Sequence, residues 1–154
     1  SLRGIIWRLV DDSRSEWLHE QEGLVRMMPL QNAEKILRDA VPLLHDLHDQ
    51  SPFPIGQSLR GGTQTRGNLF DRTETAIAEL RTAIIRTVDD YQKSLPPVDH
   101  AHPLLRSRDE QWRMVGSWSV RLAGGGDFHT SHIHPQGIVS SALYCDLPGE
   151  VARV

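Results

Sequence analysis

Apolar residues change their rhythm partway along the chain. From Asn32, a residue suited to cap a helix N-terminus, Ile36, Leu37, Ala40, Val41, Leu44 and Leu47 recur every three or four positions, the period of one helix face. Pro42 falls inside this stretch. It lacks the N–H that an interior helical residue donates, so a kink or two short helical pieces are expected. Before it, "IIWRLVDDSRSEWL" mixes apolar and charged residues around a polar turn, and "LVRMMPL" at 24–30 reads as an extended run stopped by Pro29. After it, "DQSPFPIG" breaks every regular pattern. A second and clearer stripe comprises Ile77, Leu80, Ile84, Val88, Tyr91 and Leu95. Asp71 with Glu74 resembles a capping box at its start, and Pro96–Pro97 ends it.

Beyond residue 111 the period shortens to two. In "QWRMVGSWSVRL", Trp112, Met114, Trp118, Val120 and Leu122 fall on one face, and Arg113, Ser117, Ser119 and Arg121 fall on the other. This alternation predicts a half-buried strand. The glycines at 124–126 turn the chain, and "IVSSALYCDL" at 138–147 reads as another strand. Helices followed by antiparallel-looking strands predict an α+β domain. It would have a helical part over about residues 1–97, a β-rich part over about 98–154, and a sheet only partly present.

Composition narrows this little. The 154 residues suffice for one domain with one core, and the net charge of −3 offers no basic surface for nucleic acid. No run of about 18 apolar residues is present to span a membrane. A single cysteine, Cys145, excludes an internal disulfide and fits a reducing compartment, so a cytoplasmic location is expected. The chain opens on Ser1 and stops at Val154, soon after a predicted strand. A piece of a longer protein is therefore expected, with uncovered sheet edges through which it would associate.

Two stretches carry candidate chemistry. In "SLRGGTQTRGNLF" at 58–70, Gly61 and Gly62 permit backbone angles that other residues resist, and Thr63, Gln64 and Thr65 offer uncharged hydrogen-bonding groups. The lysine of a phosphate-binding loop is missing. In "FHTSHIHPQG", His132 and His134 sit two apart, so along a strand they project side by side, spaced for two imidazoles to reach one ion. His129 would point to the opposite face of a continuous strand. "HAHP" at 100–103 repeats the spelling of "HIHP" at 132–135 but falls just after Pro–Pro, where a loop is expected. A catalytic zinc or iron normally has three protein ligands. Asp127, His129, Asp146 and Glu150 are near enough to be considered, and none has persuasive spacing.

Taken together, "IGQSLRGGTQTRGNLF", "SWSVRLAGGGDFHTSHIHPQG" and "SSALYCDLPG" resemble the 2-oxoglutarate and iron(II)-dependent oxygenases often found behind tetratricopeptide repeats. The resemblance spans about Trp7 to Gly149. It implies a double-stranded β-helix (a cupin-like jelly roll) with flanking helices, and oxidative hydroxylation with iron(II) as cofactor and 2-oxoglutarate as cosubstrate. It matches His132 to the first histidine of the metal motif and His134 to the place most such oxygenases fill with a carboxylate. It sets Tyr144 on the strand that often touches the oxoglutarate. Iron held by His132, His134 and a distal ligand would keep three positions open, two for oxoglutarate and one for O₂. The distal histidine and the arginine that pairs with oxoglutarate have no match in these residues, so this chain by itself is expected to lack a complete active site.

Two other readings stay open. One is a cupin-like metal enzyme with an all-histidine site and no oxoglutarate. The other is a metal-free barrel that recognises a partner through its glycine loop and tryptophan-rich strands. The substrate, whether a protein side chain or a small molecule, is not written in the sequence.

Overall fold

A computed structural model describes residues 2–51 and 58–148. Most of the predicted break at 49–56 lies outside the described residues, as do Ile55, Gly56 and Gln57 of the first resemblance motif and Glu150. The chain forms two compact units that are interleaved in sequence: Ser1–Leu30 with Ile85–Trp112, and Gln31–Ile84 with Arg113–Val154. The grouping therefore differs from helices first and strands second.

The first unit contains helices α1 (Leu2–Leu9) and α2 (Arg14–His19). Its core is Leu24, Leu95 and Leu105, with Tyr91 and Leu104 against them. The predicted extended run at 24–30 forms no strand; only Leu24 is buried there, while Val25 and Met27 face solvent. Polar groups at the edge of this core are individually partnered. The Tyr91 hydroxyl donates to the Leu24 carbonyl at 2.6 Å, and the Trp17 and Trp112 indoles donate to Asp99 and Asp89, both at 2.8 Å.

The second unit is built on α3 (Ala33–Asp49), which runs through Pro42 as one helix. Its buried face repeats every four residues as Ile36, Ala40, Leu44 and His48. Asn32 precedes the helix in a left-handed conformation and makes no side-chain cap; only its carbonyl is used, by the Ile36 N–H at 3.1 Å. Helix α4 (Thr75–Ser94) starts later than the capping-box reading placed it. Asp71 closes a 3₁₀ turn, Leu69–Asp71, and the Glu74 carbonyl takes the Ala78 N–H. The helix stops before Pro96–Pro97, as their missing donors require. Leu44, Leu69 and Ile77 form the core of this unit, with Phe70 and Cys145 packed on it.

The strands are far shorter than the alternation suggests. β1 (Leu59–Arg60), β2 (Thr63–Gln64), β3 (Val120–Arg121) and β4 (Phe128–His129) make two antiparallel pairs, β1 with β4 and β2 with β3. The registers, Leu59 opposite His129 and Thr63 opposite Arg121, show one ribbon with an interruption, in which residues 61–62 face residues 122–127. Gly61 and Gly62 both have positive φ. A Cβ on Gly61 would run into the Asp127 carboxylate, and one on Gly62 into the Arg121 carbonyl. That is the physical reason for the paired glycines.

Among the described residues there is no closed barrel, and the predicted strand at 138–147 does not form. Ile138, Val139, Leu143 and Leu147 remain exposed there, because strand structure needs a neighbouring ladder and none is supplied. No helix among the described residues is long and apolar enough to cross a membrane.

Candidate functional site

Alternation decides what each face of the ribbon does. Thr63, Thr65, Ser119 and Arg121 lie on the face met by α3. His48, 3% exposed, joins the Thr63 hydroxyl through Nδ1 and the Ser119 hydroxyl through Nε2, both at 2.9 Å. Thr65 Oγ1 accepts the Ser119 N–H at 2.9 Å, and Ser119 returns its carbonyl to the Thr65 N–H at 3.0 Å. Arg121 pairs with Asp49 at 2.8 Å. Burial holds the His48 pKa below its usual value; the Arg121 and His45 charges act the same way and Asp49 opposes them. Burial favours the neutral imidazole, and both hydroxyls can match it, one accepting from the ring and the other donating to it. The threonines of the glycine-rich stretch thus fasten the ribbon to the helix. His48 was missed as a partner in the sequence, although it stands at the next four-residue step of the α3 stripe.

The predicted strand over 111–122 therefore has its two faces used in an unexpected sense. Its polar face turns toward the helix, while Trp118 and Leu122 are 43% and 50% exposed. Trp118 and Gln64 belong to the outer face and line a cleft of about 230 Å³, together with Ser58, His129, His132 and His134.

His132 and His134 do come together, with ring centroids 4.8 Å apart and planes nearly perpendicular. His129 does not point away. Its ring lies 5.5 Å from that of His132, because the ladder ends at His129 and the chain bends at Ser131, so strand parity no longer applies. The His132 Nδ1–H donates to the Thr130 carbonyl at 2.8 Å, which fixes a tautomer whose Nε2 carries a free lone pair. His129 Nδ1 meets the Ser58 hydroxyl at 3.2 Å. The His134 ring packs on Trp118 at 5.2 Å. The two rings are thus adjacent, and no group of three or more His, Cys, Asp or Glu among the described residues is placed to hold a metal ion.

The other candidates are engaged elsewhere. The Asp127 carboxylate accepts the N–H groups of Ala123 and Gly124 at 2.9 and 3.1 Å. Asp146 pairs with His45 at 3.1 Å. Tyr144 is 74% exposed and is not part of the cleft lining; its neighbour Cys145 faces the core, where burial raises its thiol pKa. In the other copy of the H-x-H-P spelling, His102 is buried in a turn. Its Nδ1 accepts the Leu104 and Leu105 N–H groups at 3.2 and 3.1 Å, and its Nε2–H donates to the Leu18 carbonyl at 3.2 Å. Both nitrogens are committed to structure.

No family model, no curated protein and no solved structure matches the chain.

Proposed function

We propose that these residues carry the iron-binding part of a non-haem iron(II), 2-oxoglutarate-dependent dioxygenase of jelly-roll type, acting in the cytoplasm. The observation supporting this reading is the pairing of His132 and His134 in a cleft, with the His132 tautomer set by the Thr130 carbonyl. An imidazole whose second nitrogen is held by a backbone carbonyl is the usual form of a metal-ligating histidine. Imidazole nitrogens are ligands that suit iron(II), as they do zinc, copper and nickel. His132 and His134 would hold the ion, which when bound supplies activation of O₂ for hydroxylating a carbon centre.

The remaining residues serve binding and orientation. Trp118 backs His134 and walls the cleft, limiting water at that side. Gln64 and Ser58 bring an amide and a hydroxyl to the lining, groups able to hydrogen-bond a small organic acid. Tyr144, exposed outside the lining, is not given the oxoglutarate contact.

The test is anaerobic iron(II) binding followed by succinate release from 2-oxoglutarate in the full-length protein. Both should be lost in His132→Ala and in His134→Ala. Iron binding without succinate release would favour the cupin-like alternative. Binding that survives both substitutions would remove the metal assignment.

A further inference from the structure

We infer that His48 is a positioning residue for the cleft: its two hydrogen bonds hold the walls Gln64 and Trp118 from behind, and its protonation lets them part. The inference rests on the reading of the cleft as a binding site, and adds a residue outside the lining that governs its width.

Alternation supplies the connection. Side chains adjacent along an extended strand point to opposite faces. Thr63 precedes Gln64, and Ser119 follows Trp118. The hydroxyls that His48 binds, each at 2.9 Å, therefore belong to the immediate neighbours of two residues in the cleft lining. With Gln64 opposite Val120, Gln64 and Trp118 are diagonal neighbours on the outer face, within reach of each other for side chains of their length. Strands β2 and β3 are only two residues long, so the ladder by itself does little to hold them in place. The buried His48 ring spans both and supplies the tie that a longer ladder would provide.

A proton on this ring has no compensation. Arg121 from β3 and His45 from α3 oppose the charge, and Asp49 from α3 favours it; β2 brings only the Thr63 hydroxyl. Asp49 is already paired with Arg121 at 2.8 Å. Arg121 Nε is itself buried without a hydrogen-bond partner among the described residues, so this interior has no spare acceptor for a second cation. An imidazolium also donates from both nitrogens, which forces the hydroxyl that donated to the neutral ring to turn round. Water can solvate the imidazolium once β2 and β3 draw away from α3. The closed form carries the lowered pKa, so the walls are held at higher pH and released as pH falls through that value.

The experiment is nuclear magnetic resonance of the metal-free chain between pH 8 and 5. It follows the Overhauser cross peak between the Gln64 side-chain amide and the Trp118 indole, together with the ring resonances of the histidines. The expected result is loss of the cross peak at the titration midpoint of His48, not at that of His134, which touches Trp118. In His48→Gln, whose amide can bond both hydroxyls without titrating, the cross peak should persist across the range. In Ser119→Ala, which removes one tie, it should already be weakened at pH 8, with dispersed amide resonances confirming that each variant is folded. Absence of the cross peak in the parent at pH 8, or its persistence after His48 is protonated, would overturn the inference. Loss in His48→Gln at the parent's midpoint, or loss that tracks His134, would do the same. No metal enters the measurement, so its outcome and that of iron(II) binding in His132→Ala are read independently.

Discussion

Three histidines with the same side chain illustrate how surroundings assign a role. His102 has every ring nitrogen committed to backbone, whereas His132 retains a free one beside a cleft. His48 links stability to pH. Its folded pKa is depressed, so the unfolded chain binds the proton more readily than the folded chain. Stability therefore rises with pH through this interval. The contribution is fully present above the unfolded value of about 6.5 and is lost as pH falls through the lower folded value. Urea denaturation measured between pH 8 and 5 should show a declining midpoint in the parent chain. In His48→Gln, which can still bond Thr63 and Ser119 but cannot titrate, most of that decline should disappear. An unchanged slope would show that other groups drive it.

At the scale of elements, the ribbon depends on two glycines more than on its strand residues. Gly62→Ala combines a left-handed backbone with a methyl group driven into the Arg121 carbonyl, and should cost about 2–4 kcal/mol. Gly125→Ala, whose Cβ would meet open space, should stay within about 0.5 kcal/mol of the parent. Chemical denaturation of the pair separates a packing requirement from a general need for glycine. The helices were legible because periodicity is local. The buried steps Ile36, Ala40 and Leu44, and Ile77 and Leu80, fall where the stripes put them, and Pro96–Pro97 marks the end of α4. The continuity of α3 through Pro42 was not legible, since its outcome depends on tertiary packing that outweighs one missing hydrogen bond. Strand length was misread for a related reason. The alternation in 111–122 describes which side each residue prefers, and neither it nor the apolar content of 138–147 says whether a partner ladder exists. The nearness of His132 and His134 was legible from their spacing. The approach of His129 was not, because it depends on a bend at Ser131 that no spacing rule encodes.

At the scale of the molecule, the chain visits each compact unit twice. Leu105 completes the core of one unit, and Cys145 packs against the core of the other, yet both lie beyond the division at residue 97 suggested by the change of apolar period. A fragment of residues 1–97 should consequently be helical in part but uncooperative. The expected observations are a broad thermal transition and poorly dispersed amide resonances, since it would lack Leu105 and His102 from one core and β3 and β4 from the ribbon. A sharp transition with dispersed resonances would show that the helical segment is an autonomous domain.

The contact between Trp118 and His134, 5.2 Å between ring centroids, also makes the cleft self-reporting. Indole emission is quenched by a neighbouring imidazolium and by paramagnetic ions, so the protein carries its own fluorophore beside the proposed ligands. Of the four tryptophans, Trp118 alone belongs to the cleft lining. The difference in emission between the parent and Trp118→Phe therefore isolates its signal. Iron(II) bound at His134 should darken that difference spectrum, and diamagnetic zinc(II) in its place should shift it without darkening it. Occupancy could then be followed in dilute solution, in real time, without labelling the protein.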